Sequence, residues 1–557
     1  MVIVEGPEVR VYTDTLTAVF SNGALVSLSR KSDGREFVSG KAGERPALEL
    51  VFAKAESSPI GTEDGDRVTC IQINERSAEM RFEGWNGDGI VAVSEDGETG
   101  DLVVEPSAYS SRPGLRSCRW TIGGIDKELE LVAPFFQGVK LPLEDPLIAG
   151  GRCQWPHYWE AGLAIFQGAR GGFWVHCQDT RYRYKALKVG AAKDARSVGF
   201  ETESYGPMEA NLSAGGLAWR VNVYSGDWKT PAGEYRDWLW KAWGLDGAER
   251  RDWLAGLRFA VSWCPNDPTI LDGLAKRLDP GSVLLHIHQW RADGYDQNYP
   301  TYKASAKGAE FMKQARKMGF RAMPHFNSID MDPTHTAYTY IRDFQYRDIE
   351  TKKVQGWTWA SGKVLPVPES NAARLKHQKE NAMVKIHPGL SMWRSILAEN
   401  VAQAAGELDL DVAFLDVTLN TWNLYNCLVD DMTPTEGMRK LTDEIAGLGK
   451  GLAVGGEGRN EITMQSQHFG QVHLFESWQE NAEGLERTGG CDLNEFLFGR
   501  ICRSFGYTNL SGRTPETALR MRLHIEHGAI PTVTVHSGAE IANPNKAVKE
   551  MLDLAAR

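Results

Sequence analysis

With 557 residues the chain is too long for one ordinary core, so two or more domains are expected. Hydrophobic residues at 42% and charged residues at 24%, with the signs interspersed, exclude a fibrous or largely disordered chain and fit a soluble globular one. A formal net charge of -11 argues against nucleic acid as a partner, since phosphate contacts need a basic face.

The first residues, MVIVEGPEVRVYTDT, lack the basic start and apolar core of a secretory signal, and no apolar run is long enough for a membrane helix. A cytoplasmic protein without a membrane partner is therefore expected. The eight cysteines contain no CxxC pair, so neither a zinc cluster nor a disulfide framework is read, and no metal or other cofactor is expected. Tryptophan is abundant at 18 residues; flat aromatic faces bind the apolar faces of sugar rings, which points toward carbohydrate.

From residue 1 to about 230 the sequence reads as strand, turn, strand. TDTLTAVFSNGALVSLSRKSDGREF alternates around a hairpin signal at Asn22-Gly23 and reaches a second turn at Asp33-Gly34. VTCIQINERSAEMRFEGW, GGFWVHCQDT and GLAWRVNVYSGDW continue the pattern, which predicts a large antiparallel β-sandwich. At GDWKTPAGEYRDWLWKAW the grammar changes: Pro231 suits a first helical turn, and Tyr235, Trp238, Leu239 and Trp243 recur at helical spacing. Residues 231–250 are read as a linker helix and 251–557 as the second domain.

There, short apolar runs alternate with helical patterns. Eight strands are predicted at 257–263, 283–290, 321–327, 412–418, 452–458, 472–478, around SFGYTNL and at 530–537, with helices such as SMWRSILAENVAQAAGEL between them. This is the spacing of a (β/α)8 barrel, whose active site lies at the C-terminal strand ends. An insertion at about 330–390 is too long for an ordinary βα loop, and its aromatic content suits a substrate-facing wall.

The predicted strand ends form a polar ring: His286, His288, Trp290, His325, Asn327, Asp416, Glu457, Glu476 and His536. Half-buried carboxylates are costly unless paired or used. Asp416, in VAFLDVTLNTWN, and Glu457, in GLAVGGEGRNE, end neighbouring strands, and two such carboxylates are what glycoside hydrolysis needs: a proton donor, and a nucleophile or base. Glu476, in LFESWQE, is a third candidate. His286 and His288 share one strand face and suit hydrogen bonds to sugar hydroxyls; with His325 or Asp416 they alternatively suggest a metal site. Trp290, Trp357 and Trp359 are candidate stacking platforms, and Tyr299, Trp422 and Trp478 are further candidates for substrate contact.

The motifs SNGALVSL…GREF, GDWKTPAGEYRDWL, HIHQW…DQNYPTY, FLDV and GGEG resemble those of glycoside hydrolases that pair an N-terminal β-supersandwich with a (β/α)8 barrel. The sequence is most similar to DUF6259-type proteins and more distantly to glycoside hydrolase families 101 and 129. The resemblance implies a retaining mechanism on an α-glycoside, with Asp416 as nucleophile and Glu457 as general acid/base. Related families carry the acid on the sixth strand, which makes Glu476 the rival. NPNKAVKEMLDLAAR reads as the last barrel helix, and the N-acetylgalactosamine specificity of families 101 and 129 is not carried over. Two other readings stand beside this one: a non-catalytic carbohydrate-binding barrel, and a metal-dependent barrel isomerase or lyase using His286 and His288.

Overall fold

The computed structural model describes residues 1–557 apart from 41–45, 54–56, 61–66, 192–195, 248–251, 359–362, 367–382, 450, 475–488, 508–509 and 512–516. Its contacts divide it into two compact units, one formed by Met1–Phe135 with Val139–Ala242, the other by Phe136–Gly138 with Trp243–Arg557. Among the described residues no helix is long and apolar enough to cross a membrane.

The first unit is antiparallel β throughout its named sheets. A five-stranded meander runs from Val2–Glu5 to Glu36–Ser39, and its Asn22-Gly23 turn has both residues at positive φ, 47° and 82°, the backbone a tight right-twisting hairpin demands. A ten-stranded and a six-stranded sheet complete it. Trp120 packs on Phe200 within the six-stranded sheet, and Phe200 meets Trp219 of the ten-stranded one, which stacks on Trp159 at 6.1 Å, so large aromatics fill the space between sheets. The helix predicted after the sandwich spans Lys229–Trp243 and buries Tyr235, Leu239 and Trp240; its apolar face runs through Trp240, not Trp243.

The second unit is the expected barrel. Eight parallel strands, Phe259–Ser262, Val283–Ile287, Arg321–Asn327, Val412–Asp416, Ala453–Glu457, Phe469–Val472, Arg503–Gly506 and Thr532–Thr534, lie side by side in sequence order, with the eighth against the first. Ile530 N donates to Ser504 O at 2.8 Å and Thr534 N to Leu510 O at 2.8 Å, which brings the eighth strand back to the seventh. Helices including Pro268–Ala275, Ala306–Lys317, Ser391–Leu408 and Pro434–Ala446 connect the strands. The last of these starts with a capping box, Thr433 and Glu436 each satisfying the other's backbone amide.

Alternation along the strands builds two cores. Val283, Leu285 and Ile287 point outward under the helices, while Leu284, Met323, Phe414, Phe469 and Phe505 fill the interior. The insertion after the third strand contributes Asp330–Met331, Gln355–Thr358, Lys363–Pro366 and Met383–Lys385 to a four-stranded antiparallel sheet.

Candidate active site

The interior layer nearest the C-terminal strand ends is polar. In the parallel register Leu415 pairs with Gly456, so the next residues, Asp416 and Glu457, end adjacent strands at one level. The glycines before Glu457 are sterically required. A Cβ on Gly455 would lie 2.9 Å from Met323 Sδ in the interior, and one on Gly456 would lie 2.5 Å from Thr418 Oγ1 and closer still to the Gln467 amide. Glycine here lets neighbouring strands close around the site.

Asp416 is nearly sealed from solvent, with its side chain 12% exposed. Its Oδ2 is 3.5 Å from His325 Nε2, and its Oδ1 has no hydrogen-bond partner. His325 Nδ1 lies 3.0 Å from His286 Nε2, and His286 packs on Phe414 at 4.3 Å. Burial, with each histidine's neighbouring rings, holds His286 and His325 well below the usual imidazole range, so both are neutral. The Asp416 carboxyl is therefore set among uncharged rings. Desolvation, reinforced by Glu457, Asp296 and Asp330, pushes its pKa well above the ordinary carboxylate value; Lys385 opposes this.

Glu457 has a different environment. Tyr507 Oη donates to its Oε1 at 3.2 Å, and His473 Nε2 lies 3.5 Å from the same oxygen, the two rings stacked at 4.4 Å. Burial pushes Glu457 up, but His473, Lys385 and Tyr507 together hold it below its usual value. Lys385 comes from the insertion sheet, is buried, and pairs with Asp330 at 2.8 Å. The two carboxylates thus differ in what they can do: one is poised to hold a proton, the other to stay ionised.

Beside them stands Trp263, just past the first strand, with φ at 58°. Its ring centroid is 5.2 Å from His286, 5.1 Å from His288, 5.8 Å from Tyr295, 5.8 Å from His325 and 6.2 Å from Tyr507, which makes it the hub of an aromatic wall. A tryptophan at positive φ is held there by its surroundings, a form of local strain found at functional sites.

Of the predicted residues, His286, His288, His325, Asp416 and Glu457 come together. Trp290 does not offer a face: it is fully buried, donates its indole N–H to His325 O at 2.8 Å and packs against Phe326 and Tyr302. Tyr299 is buried in the same outer core under the Arg291 guanidinium. Asn327 spends its side-chain oxygen on the amides of Ile329 and Asp330 and shapes the turn out of the third strand. Trp357 lies in the insertion sheet, Trp422 in the loop after the fourth strand with its N–H on Gln355, and His536 after the eighth strand with its amide on Glu540. Glu476, Trp478 and Trp359 lie outside the described residues. The sixth strand ends at Val472 rather than near 478, so the strand-end residue there is His473. His473, Tyr507, Trp263, Tyr295 and Lys385 are the site residues that pattern reading did not single out. Tyr507 follows the seventh strand directly, and Trp263 the first, which was the signal available. Among the described residues no group of three histidine, cysteine or carboxylate side chains is arranged to hold a metal ion.

Residues 217–430 match the profile of a family described as "Domain of unknown function (DUF6259)". The chain carries a DUF6259 domain. Comparison of the sequence with curated proteins finds no match. The structure of the chain is similar to that of an α-N-acetylgalactosaminidase, NagBb, from Bifidobacterium bifidum in a GalNAc complex, with a TM-score of 0.67 and 13% identity over 100% of this chain and 92% of the other. It is also similar to a GH31 sulfoquinovosidase from E. rectale (TM-score 0.55, 11% identity, 100% of this chain and 81% of the other). A third likeness is to the GH36 α-galactosidase AgaA from Geobacillus stearothermophilus (TM-score 0.50, 8% identity, 98% and 85%). At these identities the likeness establishes a shared β-domain and (β/α)8 fold; activity is argued from the site.

Proposed function

We propose that the barrel mouth hydrolyses an α-glycosidic bond of a carbohydrate substrate by a retaining mechanism, with Asp416 as nucleophile and Glu457 as general acid/base. The observation that carries this reading is the pair of carboxylates ending adjacent parallel strands at one level, one pushed up and one held down in pKa. The α-glycosidase names of the fold relatives support the anomeric preference, and the resemblance in sequence supports the division of roles.

In the first step an Asp416 oxygen attacks the anomeric carbon while the C–O bond to the leaving group breaks and Glu457 gives that oxygen its proton. In the second, Glu457 takes a proton from water, whose oxygen displaces Asp416. The cycle needs one proton on the pair. In the unliganded site that proton is favoured on Asp416, the reverse of what the first step requires. Substrate corrects this from both ends: the glycosidic oxygen accepts a hydrogen bond from protonated Glu457, and positive charge growing at the anomeric carbon favours ionised Asp416. The two microstates have equal net charge, so a pH profile reports the pair and leaves the assignment to chemistry.

The test is a panel of aryl α- and β-glycosides with the wild type, Asp416→Asn and Glu457→Gln, the anomer of the first product being followed by NMR. A fluorinated α-glycoside that accumulates the covalent intermediate then identifies the labelled peptide by mass spectrometry. Retained α-product and a label on Asp416 are expected. A first product of inverted configuration would refute the retaining mechanism, a label on Glu457 would exchange the two roles, and unchanged rates in both variants would remove the site.

A further inference from the structure

A groove of about 540 Å³ lies within the sandwich unit and is lined by its residues alone. It opens where strands Gly87–Glu95 and Leu102–Ser110 of one sheet face strand Val198–Glu203 of the other, and the short strand Ser213–Gly215 forms part of its rim. We infer that this groove is a second, non-catalytic binding site for a neutral oligosaccharide.

Its lining has the two halves of sugar recognition. Tyr109, 44% exposed on its strand, presents an aromatic ring at the surface, with Tyr205 and Ile90 also lining the groove. Tyr205 is fixed in place, its hydroxyl donating to Arg181 O at 3.4 Å and its ring edge-on to Tyr184 at 6.0 Å. Rigid tyrosines supply contact area at small entropic cost and have both an apolar face and a polar tip. The polar half comes from Thr202 and Arg183. Thr202 is 1% exposed, and its hydroxyl has no hydrogen-bond partner in the protein although it lines the groove; a buried hydroxyl without a partner is costly, and a ligand hydroxyl removes that cost.

The charges in the groove narrow the ligand class. Arg183 is matched by Asp179 at 3.7 Å and donates to Gly216 O, while Glu203 is held by Arg116 and Arg152. Glu203, with no exposed side-chain surface, is spent on those arginines, and Arg183, 29% exposed and largely neutralised as a charge, still presents directed donors, which suits a polyhydroxylated neutral ligand better than an anion. The volume lies within the range of small-ligand sites, roughly 300–1,000 Å³, and accommodates a short oligosaccharide.

The test uses the full chain carrying Asp416→Asn on a printed array of neutral, sialylated and sulfated oligosaccharides, with titration of the retained sugars. This inference does not depend on barrel turnover: binding is the readout here and hydrolysis the readout there, so either can fail alone. Neutral oligosaccharides are expected to be retained. Adding Tyr109→Ala is expected to weaken that binding by at least about tenfold, the loss of one aromatic platform, whereas Tyr109→Phe keeps it within about threefold. Thr202→Val, which keeps side-chain shape, is expected to weaken it severalfold with an unchanged melting temperature. Retention of no sugar, retention unaffected by Tyr109→Ala and Thr202→Val, or retention confined to sialylated and sulfated sugars would each overturn the proposal.

Discussion

In the sandwich, Glu201 has no exposed side-chain surface, yet both its oxygens face cations: Arg119 Nη2 is 2.6 Å from Oε1 and Arg152 Nη2 is 2.8 Å from Oε2. At the barrel mouth, Asp416 is almost as deeply buried, but one oxygen has no partner and the other is 3.5 Å from a neutral histidine. The consequences have opposite signs. Burial raises Glu201, but Arg152 and Arg119 outweigh it and bring the group down to about 2, whereas Asp416 is driven well above the ordinary value with only Lys385 against it. Both clusters are carboxylates taken out of water. What separates structure from chemistry is whether the charge was compensated where it was buried.

The largest expected effect comes from neutralising the uncompensated member. Asp416→Asn is expected to lower kcat/KM by at least about a thousandfold. Because the wild-type group is raised above its unfolded value, it stabilises nothing at neutral pH and costs stability as pH rises from the ordinary value through the folded one. The melting temperature of Asp416→Asn near pH 7 is therefore expected to equal or exceed that of the wild type. A melting temperature well below wild type would mean that the carboxylate has a structural partner and would dissolve the contrast with Glu201.

Next is the converse substitution in the sandwich. Arg119→Met leaves Glu201 and Glu49 facing one cation fewer and is expected to cost about 3–5 kcal/mol in urea unfolding, as removal of one partner from a buried ion pair does. The remaining folded protein is expected to keep the kcat/KM of the proposed glycosidase reaction. The same contrast is readable in pH. Glu201 is depressed from 4.5 to about 2, so its contribution is complete above 4.5 and disappears as pH falls toward 2. The stability difference between wild type and Glu201→Gln is thus expected to shrink on acidification, while any advantage of Asp416→Asn is expected to grow as pH rises above 4. Parallel pH dependences for the two variants would show that the clusters are alike.

How far the sequence foretold this division depended on the element. Asp416 and Glu457 were legible because each closes a short apolar run, and in parallel strands such runs are buried on both faces until they end. The sixth strand was misplaced because Gly470 and Gln471 interrupt its apolar run; Gln471 is tolerated inside because its amide donates to Ser262 Oγ at 2.6 Å across the barrel, a partner more than 200 residues distant. That slip placed Glu476 at the strand end and hid His473. Trp290 read as a platform because it stands two residues after His288. The strand stops at Ile287, however, and the chain turns the indole into the outer core. Lys385 was unreadable for the same reason as Gln471: only the tertiary fold brings the insertion strand Met383–Lys385 against Asp330.

The smallest effect is the sharpest probe of what lowers Glu457. Tyr507→Phe removes one hydrogen bond, 3.2 Å in the wild type, and keeps the ring that stacks on His473. A hydrogen bond to a charged group contributes about 1.5–3 kcal/mol, so the ionised form of Glu457 is expected to become less favourable, the microstate with the proton on Glu457 to gain population, and kcat/KM at the optimum to rise by up to about tenfold. The direction in pH follows from the same loss. Without the phenol donor Glu457 gives up the first proton of the pair less readily, so the acidic limb of the pH–rate profile is expected to move to higher pH, while the alkaline limb, set by the proton that rests on Asp416, moves less. A profile that falls in height without moving would mean that Tyr507 positions substrate and that the depression of Glu457 comes from His473 and Lys385 alone.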